Sequence, residues 1–490
     1  MIEVSIMAVS YEAVIGLEVH VQIRTKRKMF CNCPNTFGGE PNTITCPVCM
    51  GHPGTLPVPN MEAVRKAVVA GLMCSCTIAN RCKFDRKSYF YPDLVKNYQI
   101  SQYDQPLCEH GKLHIFGKGF SGEQLPDKYI GITRIHLEED PGKSTHFANC
   151  TGLDYNRSGV PLMEIVSEPD MRSADEAYAY LTSLKQIMEY ADVSDCDMEK
   201  GQMRCDVNVS IRPRGQAEFG TKVEVKNLNS FRSAHRAINY EIKRQIVALE
   251  SGEKITQDTR GWDDEAGETI VQRTKENAND YRYFPEPDLL PIEFSNEDIE
   301  KIRTELPELP EAMRKRYVEA YGLTEYDAHV MTLDRALAKY FEAAAGKSEY
   351  PKAVANWILS ELLRILGEKE ISIADCPIST DHLAELVALI QKGAITGKVG
   401  KAVFESMFAE DAGKSPADIV KEKGLSQVSD EGAILQMVEA VIQANPAQVE
   451  QYKAGKTAVL QFFVGQLMKQ SRGKANPQTA IKLFQEKLSQ

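Results

Sequence analysis

The chain lacks several features that define whole classes of protein. No stretch approaches the ~20 consecutive apolar residues of a membrane span, although 43% of its 490 residues are hydrophobic. The first residues, MIEVSIMAVSYEA, have neither a basic region nor the apolar run of a secretory leader. The formal net charge of −11 argues against indiscriminate binding to polyanions. We therefore expect a soluble, cytoplasmic, globular protein of roughly two to four domains, without membrane contact.

Two further absences concern nucleotides and disulfides. The sequence contains no Walker A motif, so any nucleotide must be held by another kind of scaffold. The 12 cysteines do not indicate a disulfide framework, because the chain is long and many of them stand in apolar or motif contexts. They are expected to be reduced thiols or metal ligands.

The stretch VIGLEVHVQI, residues 14–23, alternates so strictly that it predicts a β-strand with a core face and a polar face. Glu18 and His20 project from the polar face about 7 Å apart along the strand, a spacing that suits two ligands of one ion. Gly16, on the same face, leaves room for another group to approach the backbone. A half-exposed strand without a ligand would carry the same pair, and this alternative stays open here.

The sequence pattern changes twice along the chain. Up to residue 293, short alternating segments and Gly/Pro turns predict an α+β domain with largely antiparallel strands. The segment RYFPEPDLLPIEFS predicts the exit from this domain. AVANWILSELLRIL and DHLAELVALIQKG have helical spacing, so we expect an all-α domain over residues 294–405 and a further helical unit over 406–490. Its last helix is expected to begin at Pro477, capped by Asn476.

Four cysteines are arranged as two metal-binding knuckles, and they are Cys31, Cys33, Cys46 and Cys49. A CxC pair followed by a CxxC pair suits tetrahedral zinc in a closed, structural site. Four buried thiols without metal are the alternative, and the nearby Cys74, Cys76 and Cys82 are possible rival ligands.

Acidic residues recur in settings that favour burial. The segment GITRIHLEEDPGKST contains Glu138, Glu139 and Asp140, Glu164 lies between two apolar residues, and Asp206 lies in GQMRCDVNVSI. A buried carboxylate is costly unless it is paired or binds a metal. An oxygen-rich site with one imidazole suits Mg²⁺ or Mn²⁺, and its expected members are Glu18, His20, Glu139, Glu164 and Asp206. Each acid on its own would equally suit a solvent-facing position.

Basic residues accompany these acids. Lys87 stands among tyrosines in KFDRKSYFYPDLVKNYQISQ, and Lys222 and Lys226 lie in GTKVEVKNLNSFRSAHR. Cations beside a metal held by carboxylates are what phosphoryl transfer requires, because the developing charge is stabilised from several sides. Solvated charges on strand edges are the alternative.

Six longer segments carry a family resemblance, and they are GLEVHVQ, FDRKSYFYPDLVKNYQISQYDQP, GITRIHLEEDPGKSTH, VPLMEIVSEPDMRS, KVEVKNLNSF and DYRYFPEPDLLP. In this order they closely resemble the B subunit of the tRNA-dependent amidotransferases of the GatCAB type, and the match runs from about Tyr11 to the end. The resemblance implies conversion of mischarged Glu-tRNA(Gln) or Asp-tRNA(Asn) to the correct amide. It implies that a chain of this type phosphorylates the side-chain carboxylate with ATP, and that ammonia freed from glutamine by the glutaminase subunit displaces the phosphate.

The resemblance also implies a fold and a set of site residues. The expected fold is a cradle domain over residues 1–293 that resembles glutamine synthetase and guanido kinases, with the zinc-knuckle insertion at 31–49, then a helical domain over 294–405 and a YqeY-like tail over 406–490. The implied Mg²⁺ ligands are Glu18, His20, Glu139 and Asp206, with Glu164, and the implied catalytic set is Glu18, His20, Glu139 and Lys87. Phosphate binding is expected of Lys87, Lys222 and Lys226. The four cysteines match a zinc site that some family members keep and others lack.

Partners follow from the same resemblance. The chain lacks the Gly/Ser-rich amidase signature of the glutaminase subunit, so ammonia is expected from that partner, in a heterotrimer with the family's small third subunit. From Gln451 to Gln490 the chain has seven basic residues and a single acidic one. Lys469, Arg472 and Lys474 are the expected tRNA contacts, because clustered basic charge favours a phosphate backbone. A solvated helical face would show the same charge.

Two other functions remain open from the residues alone. A non-catalytic zinc-ribbon protein that binds tRNA would need no nucleotide turnover and none of the buried acids. A metal-dependent hydrolase using Glu18 and His20 would need neither the basic tail nor tRNA.

Overall fold

The computed structural model describes residues 10–274, 281–425, 431–471 and 475–488. Backbone contacts divide the chain into two compact units, Met1–Leu309 and Pro310–Gln490. The first combines strands and helices, and the second is helical. The expectation of an α+β region followed by a helical C-terminal region is therefore confirmed, while the domain boundaries at 293 and 405 stay predictions.

The described strands all lie in the first unit. They are β1 (Tyr11–Gln22), β2 (Thr77–Ile78), β3 (Arg81–Cys82), β4 (Asp85–Ser88), β5 (Tyr98–Ser101), β6 (Cys108–Ile115), β7 (Lys128–Glu139), β8 (Lys143–His146), β9 (Thr151–Asp154), β10 (Pro161–Ser167), β11 (Met203–Pro213), β12 (Val223–Leu228), β13 (Asp258–Asp263), β14 (Glu268–Thr274), β15 (Phe284–Pro285) and β16 (Ile292–Glu293).

The helices are spread over both units. They are α1 (Met61–Met73), α2 (Ala174–Tyr190), α3 (Phe231–Glu250), α4 (Asn296–Thr304), α5 (Pro310–Tyr321), α6 (Glu325–Thr332), α7 (Arg335–Ala345), α8 (Pro351–Trp357), α9 (Leu363–Lys369), α10 (Thr380–Gln391), α11 (Gly397–Met407), α12 (Pro416–Glu422), α13 (Glu431–Ala444), α14 (Pro446–Lys453), α15 (Leu460–Gln470) and α16 (Pro477–Leu488). A π-helical turn, Ile358–Leu362, joins α8 to α9.

A nine-stranded sheet dominates the first unit, with the strand order β14-β13-β12-β11-β1-β10-β7-β6-β2. Its neighbouring strands are antiparallel except for β12 and β13, which are parallel. A second, three-stranded sheet has the order β15-β4-β5. The strand β1 is therefore central, with β10 on one side and β11 on the other.

Alternation along β1 decides which face of the sheet is core. The odd-numbered apolar residues from Ile15 to Ile23 are buried and share one core with residues of α1, α2 and α3. These helices begin where Asn60, Ser173 and Ser230 accept hydrogen bonds from backbone N–H groups of the first turn. Because side chains alternate along a strand, the even-numbered polar residues of β1 lie on the face away from this core.

The second unit follows the helical periodicity of its sequence. The helices α8, α9 and α10 coincide with the two predicted helical segments. α13, α15 and α16 share a core that includes Val438, Phe463 and Phe484. The helix α16 begins at Pro477, and Asn476 accepts hydrogen bonds from the N–H groups of residues 478 and 479, as predicted. None of the described helices has both the length and the apolar character that crossing a membrane requires.

Candidate active site and metal centres

The polar face of the central strands brings together residues that are far apart in the sequence. His20 of β1 lies opposite Glu164 of β10, and Glu164 lies opposite His136 of β7. Glu138 follows two residues after His136 and therefore projects from the same face. Directly opposite residues have Cβ atoms about 5 Å apart, so three neighbouring strands place their side chains within reach of one another.

Three of these side chains form a compact cluster. Ligand atoms of His20, Glu138 and Glu164 all lie within 4.8 Å of one another. The Nε2 atom of His20 is 3.5 Å from Glu164 Oε2, and Nε2 of His136 is 3.3 Å from Glu138 Oε1. Both carboxylates are buried. We name His20, Glu138 and Glu164 the acid cluster; its two carboxylates and one imidazole are a donor set that suits Mg²⁺ or Mn²⁺.

Three cations line the cavity above the acid cluster. This cavity has a volume of about 310 Å³ and is lined by His20, Glu138, Lys87, Arg157 and Arg204 among others. Lys87 Nζ is 3.5 Å from Glu138 Oε1. Arg204 is oriented by the fully buried Asp140, because it donates to both carboxylate oxygens at 2.8 and 3.2 Å. Arg157 donates to the carbonyl oxygens of Pro141 at 3.0 Å and Gly142 at 2.6 Å, and its Nε lies 4.0 Å from Asp140.

The charges of the cluster are mutually stabilised. Burial alone would raise the pKa of Glu164, but His136 and His20 lower it to about 2. Burial would likewise lower the pKa of Lys87, yet the charges of Glu138 and Glu164 raise it above its ordinary value. Against the effect of burial, Lys87 and His136 hold the pKa of the Glu138 carboxyl well below its usual range. The surroundings therefore favour the charged forms of Glu138, Glu164 and Lys87.

Glu18 and Asp206 lie on the same face, one step along the strands from the acid cluster. They are direct cross-strand partners on β1 and β11. Glu18 Oε1 accepts a 3.0 Å hydrogen bond from Asn208 Nδ2, and Lys226 Nζ lies 2.5 Å from Asp206 Oδ2. Lys222 precedes β12 and is exposed. Four of the five predicted ligands, which are Glu18, His20, Glu164 and Asp206, therefore share one surface with Lys226, while Lys222 lies at its margin.

Glu139 differs from the sequence expectation. It ends β7 on the opposite side of the strand from Glu138, and its carboxylate forms a buried ion pair with Lys96 and accepts the Ile100 N–H at 3.0 Å. The cluster of potential ligands around His20 contains Glu138 and does not contain Glu139. Glu138 thus lies where the sequence analysis expected Glu139, because neighbouring residues of a strand project from opposite faces.

The sequence interpretation also missed His136, Arg157 and Arg204. The signal for His136 was present, since Ile135 and Leu137 are core residues and the positions between and after them must face the other way. The two arginines carried no such signal, because Arg204 is positioned by the distant Asp140 and Arg157 by the carbonyl oxygens of Pro141 and Gly142.

Two glycine motifs have roles other than ligand binding. A Cβ atom built on Gly16 would lie 3.7 Å from the Cα atom of Pro169, so the chain's own backbone fills the space expected for another group. The segment GKGFSG, Gly117 to Gly122, has the G-x-G-x-x-G spacing of a dinucleotide-binding loop. It connects the antiparallel strands β6 and β7, whereas a dinucleotide-binding loop joins a strand to a helix.

The four predicted zinc ligands come together. Sγ atoms of Cys31, Cys33, Cys46 and Cys49 all lie within 4.8 Å of one another. The Cys46 N–H donates to Cys49 Sγ at 3.2 Å. A hydrogen bond from Cys31 is the main cause that lowers the pKa of Cys49 to about 5, with further contributions from Cys46 and the Lys28 charge. Four convergent thiols with one already favouring the thiolate fit a structural zinc ion.

Lys28 was not predicted from the sequence. Its side chain is buried, and its Nζ donates to the carbonyl oxygen of Ile44 at 2.8 Å and lies 3.8 Å from Cys49 Sγ. A buried cation at this position would offset the negative charge that the four thiols acquire when they bind zinc. The rival ligands Cys74, Cys76 and Cys82 are instead buried in the main hydrophobic core.

Of the three predicted tRNA contacts, the structure describes Lys469 alone. It lies in the last turn of α15 and is exposed. Arg472 and Lys474 lie outside the described residues. Lys487, also basic, forms an ion pair with Glu439 at 2.7 Å.

Comparison with known proteins identifies the family of this chain. Residues 13–300 match the GatB/GatE catalytic domain, and residues 339–488 match the GatB domain. The chain is 54% identical over 484 residues to the B subunit of the aspartyl/glutamyl-tRNA(Asn/Gln) amidotransferase of Carboxydothermus hydrogenoformans, with 98% of this chain and 99% of the relative aligned. Proteins of the same name from Persephonella marina (54%) and Caldanaerobacter subterraneus (53%) are similar over 98% of this chain and 99% of their own length. The chain therefore belongs to the GatB family, the B subunits of the tRNA-dependent amidotransferases, which are glutamine-dependent carbon–nitrogen ligases.

Proposed function

We propose that this chain activates the side-chain carboxylate of mischarged Glu-tRNA(Gln), Asp-tRNA(Asn) or both, and that the activated carboxylate is then converted to the amide. In the first step a carboxylate oxygen attacks the γ-phosphorus of ATP, and ADP leaves. In the second step ammonia attacks the acyl carbon, inorganic phosphate leaves, and one ammonia proton is lost. The ammonia comes from the glutaminase member of a heterotrimer that also contains a small third chain.

The observation that carries this proposal is that His20 and Glu138 of the acid cluster line one cavity together with three cations. A free carboxylate is a poor acyl donor, because its leaving group would be oxide. Phosphorylation supplies a good leaving group, and it needs positive charge on several sides of the transferring phosphoryl group. Lys87, Arg157 and Arg204 are positioned to provide that charge. A protein that only bound tRNA would have no use for this cavity.

The acid cluster supplies the metal site in this proposal. Mg²⁺ held by His20, Glu138 and Glu164, with Glu18 and Asp206 beside them, would neutralise charge on the phosphates. His136 orients Glu138 through its Nε2 atom. Lys226 holds Asp206 in place and also pairs with Glu224 at 3.3 Å, and in this proposal it contributes positive charge near the nucleotide phosphates. Lys222, which is exposed at the margin of this surface, is proposed as a further phosphate contact.

The zinc knuckle has a structural role in this proposal. Zn²⁺ bound by the four cysteines would cross-link residues 31–49 and stabilise them as one loop. The four cysteines take no part in the chemistry of the acid cluster, because a closed four-thiolate site leaves no position for a substrate.

The remaining family features complete the proposal. The first unit is proposed to be a cradle that resembles glutamine synthetase and guanido kinases, which hold ATP through metal-bound phosphates without a Walker A loop. The C-terminal residues are proposed to form a YqeY-like tail that contacts tRNA through Lys469, Arg472 and Lys474. The proposed compartment is the cytoplasm, where tRNA and its synthetases are found.

The test is a reconstituted three-subunit enzyme supplied with ATP, glutamine and each mischarged tRNA in turn. We expect amidated tRNA to form together with ADP, and ATP hydrolysis to depend on the mischarged tRNA. The matched control is the same enzyme with Lys87→Met, which removes one cation of the cavity. Binding of tRNA without any ATP turnover in the wild-type enzyme would contradict the proposal and favour the non-catalytic alternative.

A further inference from the structure

Arg157 is one of the three cations that line the cavity above the acid cluster, and it lies in a connecting segment rather than on a strand. Residues 155–160 join β9 to β10. The guanidinium group donates to the carbonyl oxygens of Pro141 at 3.0 Å and Gly142 at 2.6 Å. Strand pairing does not fix the backbone that carries it, so the position of this cation depends on the other contacts of residues 155–159.

The residue before this arginine, Asn156, contacts the loop between the two cysteine pairs. Its Oδ1 accepts the Ile44 N–H at 2.7 Å, and its Nδ2 donates to the Glu40 carbonyl oxygen at 2.6 Å. The Nζ of the buried Lys28 donates to the carbonyl oxygen of Ile44 at 2.8 Å and lies 3.8 Å from Cys49 Sγ. Asn156 is therefore linked to the thiol cluster through a single residue whose N–H and carbonyl groups are both bonded.

The two residues after the arginine contact the zinc knuckle and the residues that lead into it. The hydroxyl group of the buried Ser158 donates to the carbonyl oxygen of Cys49 at 3.0 Å. The Gly159 carbonyl oxygen accepts the Met29 N–H at 2.7 Å. Gly159 has a φ of +83°, and a Cβ atom built on it would lie 3.3 Å from Cβ of Cys49, so glycine suits both the backbone conformation and the close approach. Arg157 is therefore held on both sides along the chain by residues 29–49.

The anchor itself depends on the four thiols. Residues 31–49 contain none of the described helices or strands, so regular secondary structure does not fix their conformation. A metal ion that joins the two cysteine pairs would close this loop and restrict its conformations. A displacement of about 1 Å in a group that acts on the transition state can lower a rate about 100-fold. The zinc knuckle therefore has a physical route to the cavity through the backbone of Arg157.

We propose that the zinc knuckle positions Arg157 for phosphoryl transfer, and that Asn156 and Ser158 are the positioning residues that connect the two. The inference rests on the proposed function, because it takes Arg157 as a cation that stabilises the transferring phosphoryl group. Both positioning residues act through the backbone of Arg157. The metal would therefore have a structural role whose effect reaches the cavity, although its ligands take no part in the chemistry.

The first experiment compares Asn156→Ala and Ser158→Ala with Asn32→Ala in the assembled three-subunit enzyme. Asn32 is a matched control, because it is an asparagine of the zinc knuckle whose Oδ1 accepts a hydrogen bond from Arg27 at 2.7 Å instead. Each substitution is made in the wild-type chain and in the Arg157→Ala chain. For each enzyme, kcat and KM are measured for mischarged tRNA at saturating ATP and for ATP at saturating tRNA. Zinc content and complex assembly are measured on the same preparations.

We expect Asn156→Ala and Ser158→Ala each to lower kcat about tenfold or more with both KM values within about twofold of wild type, since loss of a residue that orients a site group costs about 10–100-fold. Asn32→Ala should keep the wild-type values. In the Arg157→Ala chain neither substitution should lower kcat further, because residues that act through one group are not additive. Additive losses, a wild-type kcat in both variants, or an effect confined to the KM values would overturn the inference. If Asn156→Ala fails to assemble, Ser158→Ala, which removes a single oxygen atom, decides the outcome.

The second experiment needs no turnover. Amide hydrogen exchange is measured on the full chain loaded with zinc and on the same chain after the zinc is removed with a chelator. We expect zinc removal to speed exchange in the peptide that covers residues 154–160 and to leave α2 unchanged, because local opening follows the contacts that hold a segment. Equal exchange in residues 154–160 with and without zinc would overturn the role of the zinc knuckle. Amidation by the wild-type enzyme is established first, so a failure of the proposed function is distinguishable from a failure of this link.

Discussion

The exchange of Glu138 and Glu139 can be tested by one pair of substitutions. Glu138→Gln and Glu139→Gln remove the same charge from adjacent positions on opposite faces of β7. Glu138 lies in the acid cluster, whereas Glu139 pairs with Lys96. The two variants are matched controls for each other, because the chemical change and the sequence environment are the same.

The expected effects differ in kind. Loss of a residue that merely supports a metal ligand costs about 10–100-fold in affinity, so loss of the ligand Glu138 should cost at least about 100-fold. Glu139→Gln should leave metal affinity within about twofold. It should instead destabilise the first unit, since a buried lysine without its partner costs about 3–5 kcal/mol. We expect a value near the lower end of that range, because the glutamine oxygen can still accept the Ile100 N–H.

The assay has two readouts on the same preparations. Equilibrium titration with Mn²⁺ measures metal affinity without requiring turnover, and denaturant unfolding of the isolated chain measures stability. Equal losses of metal affinity in the two variants would refute the assignment of Glu138, and a selective loss in Glu139→Gln would restore the original sequence prediction.

Three further predictions concern other parts of the molecule. About one equivalent of zinc should copurify, Cys46→Ser should remove it and lower stability, and Lys28→Met should weaken zinc binding about tenfold, as measured by competition with a chelator. Burial would raise the pKa of Asp140, but Arg204 and then Arg157 hold it below its ordinary value. The resulting stabilisation of the folded state is present above about pH 4, and it is lost as pH falls through the folded-state pKa. The difference in unfolding free energy between wild type and Asp140→Asn should therefore shrink below about pH 4, and a constant difference down to about pH 2 would contradict this assignment. Lys469→Gln should lower tRNA affinity and flatten its dependence on the logarithm of salt concentration by about one unit, whereas an unchanged slope would show that this lysine is only solvated.

Local patterns in the sequence determined much of the structure. The alternation of residues 14–23 predicted both the central strand and its buried face, because the period of side chains along a strand is two. The pair of cysteine knuckles predicted a four-thiol cluster, since ligand spacing is a local property. Asn476 and Pro477 predicted the start of the last helix for the same reason. The family was also recognisable from contiguous motifs.

The tertiary structure alone decided the composition of the acid cluster. His20, Glu138 and Glu164 come from three strands whose register depends on pairing between distant segments. A shift of one residue exchanges the two faces of a strand, so the choice between Glu138 and Glu139 depends on a register that the sequence analysis did not assign. Arg204 depends on a buried carboxylate that lies 64 residues away in the sequence. Arg157 was only one residue of a short connecting segment until folding placed the zinc knuckle beside it, because the hydrogen bond from Ile44 to Asn156 joins residues that are 112 apart in the sequence.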